Sequence, residues 1–146
     1  MNWHVFAIGK PKHAFAKIGV EEYAPRISPF ASLSIEYLKA AARETESAVL
    51  SKRSEGMLRI VLDERGDELT SAAFAQKVTG FEMQGIKNIA LLIGGADGHS
   101  DSLRDSADWL WSLSRLTTQH ELALVFALEQ IYRAYTIKAR LPYHRD

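Results

Sequence analysis

The chain has 146 residues, 47% hydrophobic and 25% charged, with 18 basic against 18 acidic side chains and no cysteine. That is the size and composition of one globular domain spanning 1–146, and it excludes a disulfide scaffold, a thiol nucleophile and any cysteine-ligated metal site. No run approaches the roughly 18 to 20 apolar residues of a membrane span, the first ten residues lack a signal-peptide pattern, and the zero net charge speaks against a free-standing nucleic-acid binder. A cytoplasmic location is the expectation.

Trp3 to Ile8 alternates apolar and mixed residues and stops at Gly9, which predicts a first strand. From Ala14 to about Arg26, Phe15, Ile18, Glu22 and Tyr23 recur at helical spacing, and Pro25 and Pro29 end the helix within about a turn. Ser32 to Leu38 alternates with period two, placing Leu33, Ile35 and Tyr37 on one side of a second strand. Ala40 to Ser54, rich in Ala, Glu, Arg and Ser, reads as a surface helix. Leu58 to Leu62 is a third strand that ends at Asp63-Glu64-Arg65-Gly66. A helix follows, capped by Ser71 and stopped by Gly85.

Asn88 to Ile93 is a buried fourth strand running into Gly94-Gly95 and a short polar loop closed by Gly98. Ser100 to Ala107 predicts one or two helical turns, Asp108 to Leu113 a fifth strand, and Glu121 to Ala139 a long helix before Pro142. Strands that alternate with helices imply a mostly parallel sheet with helices on both faces. In the last helix Leu122 to Leu128 is apolar at every position, hence around its whole circumference. Either the helix is fully internal or a second subunit covers it, and the homodimer is the simpler account for a domain this small.

The glycine loop is neither a P-loop nor a dinucleotide fingerprint, since it lacks Gly-Lys-Ser/Thr and the Gly-x-Gly-x-x-Gly spacing. What remains is a tight turn exposing N–H and C=O groups at a strand end, where open α/β sheets bind ligands. A structural turn and a ligand-binding one both fit it. Histidines at 4, 13, 99, 120 and 144 form no metal-binding pair, and no serine sits in a nucleophile elbow. The tail sets Tyr143, His144 and Arg145 side by side: a ring that stacks, a titratable imidazole and a permanent cation. It is either an incidental chain end or a terminus folded over a site.

Several stretches, in order along the chain, carry a family likeness: AIGK at 7–10, EEY at 21–23, IVLDERG at 60–66, LLIGGADGHS at 91–100, WSLSRLTTQHELA from Trp111, LEQIYRAYTI from Leu128, and LPYHRD at the end. Together they resemble the ribosomal RNA large-subunit methyltransferase H family of the SPOUT superfamily. The resemblance implies a SPOUT-type α/β fold with a C-terminal trefoil knot, a homodimer, and S-adenosylmethionine (SAM) as methyl donor, with no metal and no membrane. It further implies methylation of N3 of a pseudouridine in helix 69 of 23S ribosomal RNA.

Carried over by motif, it implies a cofactor pocket built from Leu62, from Gly94, and from Leu113, Ser114, Arg115, Leu116, Thr117 and Thr118. Leu113 and Leu116 would pack the purine. The tail motif implies that Tyr143 and Arg145 position RNA while His144 handles a proton or orients the base; Lys10, Lys12 and Arg133 are further candidates for phosphate contact. Two positions depart from the family pattern. Leu124 stands where the family commonly has an arginine, and Ala96 where it often has proline or serine. The departure at Leu124 keeps open a second reading, a catalytically idle ribosome-binding or assembly protein. The zero net charge points to the assembled ribosome or large subunit as substrate, with shape supplying what a basic surface would otherwise supply.

Overall fold

A computed structural model describes residues 1–145 of the protein; Asp146, the last residue of the tail, lies outside them. Strands β1 (Asn2–Ile8), β2 (Ser32–Leu38), β3 (Leu58–Glu68), β4 (Asn88–Ile93) and β5 (Trp109–Ser112) alternate with helices α1 (Ala14–Ile27), α2 (Arg43–Arg53), α3 (Ser71–Met83), α4 (Asp101–Asp105) and α5 (His120–Lys138). The strands form one sheet in the order β2-β1-β4-β3-β5, and every neighbouring pair is parallel.

The side-chain period of two divides the core in half. Val5, Ile60, Leu91 and Trp111 face one way, into a cluster with Phe74 of α3 and Leu124, Leu128 and Ile131 of α5. Phe6, Val61 and Leu92 face the other way, with Leu50 of α2 and Leu103 of α4. The steps β1 to β2 and β3 to β4 run in one direction along the sheet, through α1 and α3; β2 to β3 and β4 to β5 run in the other, through α2 and α4. Right-handed crossovers require this: reversing direction moves the helix to the opposite face.

Two elements differ from the sequence expectation. β3 does not stop at Leu62 but continues to Glu68, after a register shift between Leu62 and Asp67 against β5. Gly66 permits the close pass, because a Cβ there would lie 2.4 Å from the Leu110 carbonyl oxygen. Helix α3 is capped by Thr70, whose hydroxyl accepts from the Ala73 N–H at 3.1 Å, and Ser71 instead donates to Gln130 at 2.8 Å. Helix α1 ends as expected, passing through Pro25 to stop at Ile27. A proline in the last turn costs one backbone bond, and the fully buried Ile27 anchors that turn to the core.

Helix α5 is not covered on all sides. Leu122 is 46% exposed and Phe126 40%, one turn apart on its outer face. Beside them on α1 stand Phe15 and Ile18, at 47% and 65%. The two helices pack side by side in parallel, with Gly19 so close to Val125 that a Cβ would come within 2.7 Å of its methyl group. These four residues make an apolar patch at the N-terminal ends of both helices.

Candidate functional site

Because the strands are parallel, their carboxyl ends collect at one edge of the sheet. A cavity of about 270 Å³ opens there, just below the roughly 300–1,000 Å³ usual for small-molecule sites. Three separate segments line it: the irregular part of β3 from Leu62 to Arg65, the loop Gly94 to His99 after β4, and the stretch after β5 that includes Leu113, Ser114, Leu116, Thr117 and Thr118. The start of α5 adds His120 and Ala123, α2 adds Arg43, and α4 adds Arg104.

The glycine loop is built for close approach. Its two ends bridge through the Gly98 N–H, which donates to the Gly95 carbonyl at 3.1 Å, and Gly98 takes a φ of +72°. A Cβ on Gly94 would stand 3.0 Å from the His99 ring. A Cβ on Gly95 would meet Ile8 at 3.1 Å and the buried Glu46 carboxylate at 3.2 Å. Glu46 is held in turn by the Ala41 N–H at 3.0 Å.

The segment after β5 is shaped by its own short-range bonds. Ser112 donates to the Ser114 carbonyl at 2.8 Å, and the Ser114 hydroxyl accepts from the Leu116 N–H at 3.1 Å. Leu116 is left 77% exposed at the cavity mouth, an apolar surface open to a ligand. Arg115 points elsewhere: its guanidinium meets Glu68 at 2.8 Å and it is not among the lining residues.

Glu121 fixes where α5 begins relative to the cavity. Its buried carboxylate accepts from the Lys12 N–H (2.7 Å), the His13 N–H (3.0 Å) and the His13 ring (2.6 Å). Those bonds, the His13 N–H foremost, hold the carboxyl down to about 2 against the opposing effect of burial. The Lys10 to His13 loop after β1 is thereby tied to the same edge as the cavity, with Lys10 and Lys12 partly or fully exposed.

The tail stands apart. The Tyr143 hydroxyl donates to Glu129 at 3.0 Å, its ring meets Tyr132 edge-on at 4.7 Å, and the Arg133 guanidinium lies 4.8 Å over its face. Arg133 also donates to His144 Nδ1 at 3.1 Å and pairs with Glu129 at 2.6 Å. Burial, with Tyr23 and Glu129 nearby, pushes the Tyr143 phenol up, so it remains a hydrogen-bond donor. Arg145 is exposed. Ten residues of helix separate Arg133 from the cavity residue Ala123, about 15 Å at 1.5 Å per residue.

A family model described as "Predicted SPOUT methyltransferase" matches residues 1–144. Among curated proteins, a ribosomal RNA large subunit methyltransferase H from Thermus thermophilus is 41% identical over 145 residues, covering 99% of both chains. The protein of the same name from Deinococcus deserti is 36% identical, covering 99% of this chain and all of its own. The chain belongs to the large-subunit methyltransferase H family of SPOUT methyltransferases. In fold, this SPOUT chain is similar to a probable methylase family protein from Haemophilus influenzae Rd KW20, with a TM-score of 0.57 at 11% identity, covering 99% of this chain and 71% of that one.

For the SPOUT chain, the structure brings seven of the eight motif-assigned cofactor residues to one cavity, with Arg115 outside, and leaves Tyr143 and His144 against α5. Sequence reasoning missed His99, Asp63, Arg104, Arg43 and His120. His99 carried no local signal, being one polar residue after a loop glycine. Among the described residues no cluster of three or more His, Asp or Glu is placed to hold a metal, and no helix is long and apolar enough to cross a membrane.

Proposed function

We propose that this protein is a SAM-dependent ribosomal RNA methyltransferase whose cofactor sits in the cavity at the carboxyl edge of the sheet. The observation that carries the reading is the convergence of three strand-end segments, distant in sequence, on that one space. Its chemistry suits the cofactor. The leucines at 62, 113 and 116 offer apolar surface to a purine, and the glycine loop offers main-chain donors and acceptors at close range. Glu64 and Asp97 suit an ammonium or sulfonium cation, and Arg43 and Arg65 a carboxylate. When bound, SAM supplies an electrophilic methyl group on a sulfonium. The protein then has to align the acceptor and take up its proton.

The tail is the candidate for that second task. In a single chain it lies along α5, away from its own cavity, so we read the catalytic unit as a homodimer in which each tail serves the partner's cavity. The exposed patch of Phe15, Ile18, Leu122 and Phe126, beside the cavity end of α5, supports a subunit contact there. In this reading His144 assists proton removal from the base or orients it, while Tyr143 and Arg145 hold the RNA. Lys10 and Lys12 stand at the same edge to meet phosphate. Light scattering at micromolar concentration is expected to give the dimer mass, and a monomer mass overturns the shared site. The trefoil knot belongs to the same proposal and rests on the family resemblance.

The relatives' name supports ribosomal RNA of the large subunit as substrate, and the family resemblance narrows it to N3 of a pseudouridine in helix 69. The neutral charge of the chain supports assembled particles over naked RNA as the form recognised. Leu124 does not favour an idle protein: it is 2% exposed in the core, a packing residue. The deciding experiment is methyl transfer from labelled SAM to ribosomes or large subunits that lack the modification. Incorporation at one nucleotide is expected. Binding to ribosomes without incorporation would leave the idle-protein reading instead.

A further inference from the structure

Among the described residues, His99 is the one side chain in the cavity wall that is both buried and only half used. It is 3% exposed, and its Nε2 lies 3.1 Å from the Leu62 carbonyl oxygen. A carbonyl only accepts, so Nε2 carries the proton and Nδ1 is left as a bare acceptor. Among the described residues, Nδ1 is buried and has no hydrogen-bond partner. A leucine or phenylalanine would fill the volume without stranding a polar atom. What the imidazole adds over those is the bond to Leu62, with the Leu92 main chain also near enough to act on the ring.

That bond falls where the ladder on both sides of β3 is interrupted. Leu62 is the last β3 residue paired with β4, opposite Ile93, and the shift against β5 begins immediately after it. The main chain of His99 reinforces the tie: its carbonyl accepts from Arg104 at 2.6 Å, and Arg104 also reaches Asp63 at 3.4 Å, both side chains being largely buried. On its other side the ring backs onto Gly94, with Cε1 and Nδ1 at 3.0 and 3.3 Å from where a Cβ would stand. One residue therefore touches two of the three segments that form the cavity.

We propose that His99 is a positioning residue for the cofactor: its Nε2–H holds the Leu62 carbonyl and its ring backs Gly94, locking the end of β3 to the glycine loop. This rests on reading the cavity as the SAM site. A residue that fixes the distance between two walls acts on ligand affinity through the geometry of the site, beyond whatever it adds to stability.

The test measures S-adenosylhomocysteine binding by calorimetry, together with thermal melting, for the wild type, H99Q and H99F. H99F keeps a ring and loses the donor, and its affinity is expected to fall about tenfold, the worth of one buried hydrogen bond left unmade. In H99Q a side-chain N–H can again reach Leu62, and affinity is expected within about threefold of wild type. Nitrogen NMR of the wild-type imidazole is expected to show Nε2 protonated and Nδ1 bare, a readout that needs no variant to fold. A proton on Nδ1 overturns the proposal, as does an H99F protein that melts lower yet binds as tightly as wild type. If H99F does not fold, H99Q binding more than tenfold weaker overturns it. A wild-type protein that binds no S-adenosylhomocysteine overturns the reading of the cavity itself, whereas equal binding by all three proteins overturns only the role of His99.

Discussion

The glycine-loop cavity and the C-terminal tail both stand out in the sequence, and they are organised in opposite ways. The cavity is assembled from segments tens of residues apart, each held by the sheet or by a buried side chain such as His99 or Glu121. The tail is held by its immediate neighbours on α5, through Glu129, Tyr132 and Arg133. The cavity walls, made by long-range contacts, come together within one chain. A tail stored on its own helix can be presented elsewhere at the cost of a few local bonds. On the proposed reading the difference separates binding from catalysis, and substitutions in each region are expected to show it.

The largest effect is expected at Gly66. G66A drives a methyl group into the β5 backbone, which cannot move aside as a side chain would, and stability is expected to fall by about 3 kcal/mol or more in urea unfolding. Cofactor binding should be lost with it, because β3 and β5 both feed the cavity.

E129A removes the acceptor shared by Tyr143 and Arg133, and is expected to cost about 1.5–3 kcal/mol by the same measurement. If the two regions are separable, S-adenosylhomocysteine affinity stays at the wild-type value while methyl transfer to ribosomes falls. A parallel loss of cofactor affinity would break the comparison.

Acid should act on the cavity side first. Burial lowers the His99 pKa, outweighing Asp63, while Arg104 lowers it further. A depressed histidine favours the folded state above its unfolded value of about 6.5, and that contribution is lost as pH falls from there toward the folded value. Glu121 behaves likewise in a lower window: its contribution is present above 4.5 and lost as pH falls toward about 2. Melting temperature against pH is therefore expected to drop in two steps. H99Q should abolish the upper step and E121Q the lower one, with the tail's hydrogen bonds to Glu129 unaffected by either.

The smallest effect is expected past the end of α5. Arg140 adopts a φ of +57°, and the Leu141 and Arg140 N–H groups close the helix onto Thr136 and Ile137 at 2.9 and 3.1 Å. R140G relieves the left-handed strain and is expected to raise stability by about 0.5–1 kcal/mol in urea unfolding, leaving cofactor affinity alone.

Nearly all ten elements were legible in the sequence, because strand alternation, helical spacing and glycine stops are local signals. Gly9 and Gly85 end their elements with φ of +79° and +80°, and Ser100 caps α4 by accepting from the Leu103 N–H at 3.1 Å. The motif likeness also brought Leu62, Gly94 and the Leu113 to Thr118 segment forward as one site. The extension of β3 was not legible, since Asp63 to Gly66 reads as a turn and only pairing of Asp67 with Trp111 makes it a strand.

Local hydrogen bonding and side-chain periodicity act over a few residues, so the sequence by itself determined which segments are helix or strand and where glycine must turn the chain. The strand order, the exposure of Leu122 and Phe126, the separation of tail from cavity and the placement of His99 were decided by the tertiary structure. His99 reaches Leu62 across 37 positions of sequence, and Glu121 reaches His13 across 108. Contacts of that span exist only once the parallel sheet has brought its strand ends to one edge, and no pattern within a few residues can encode them.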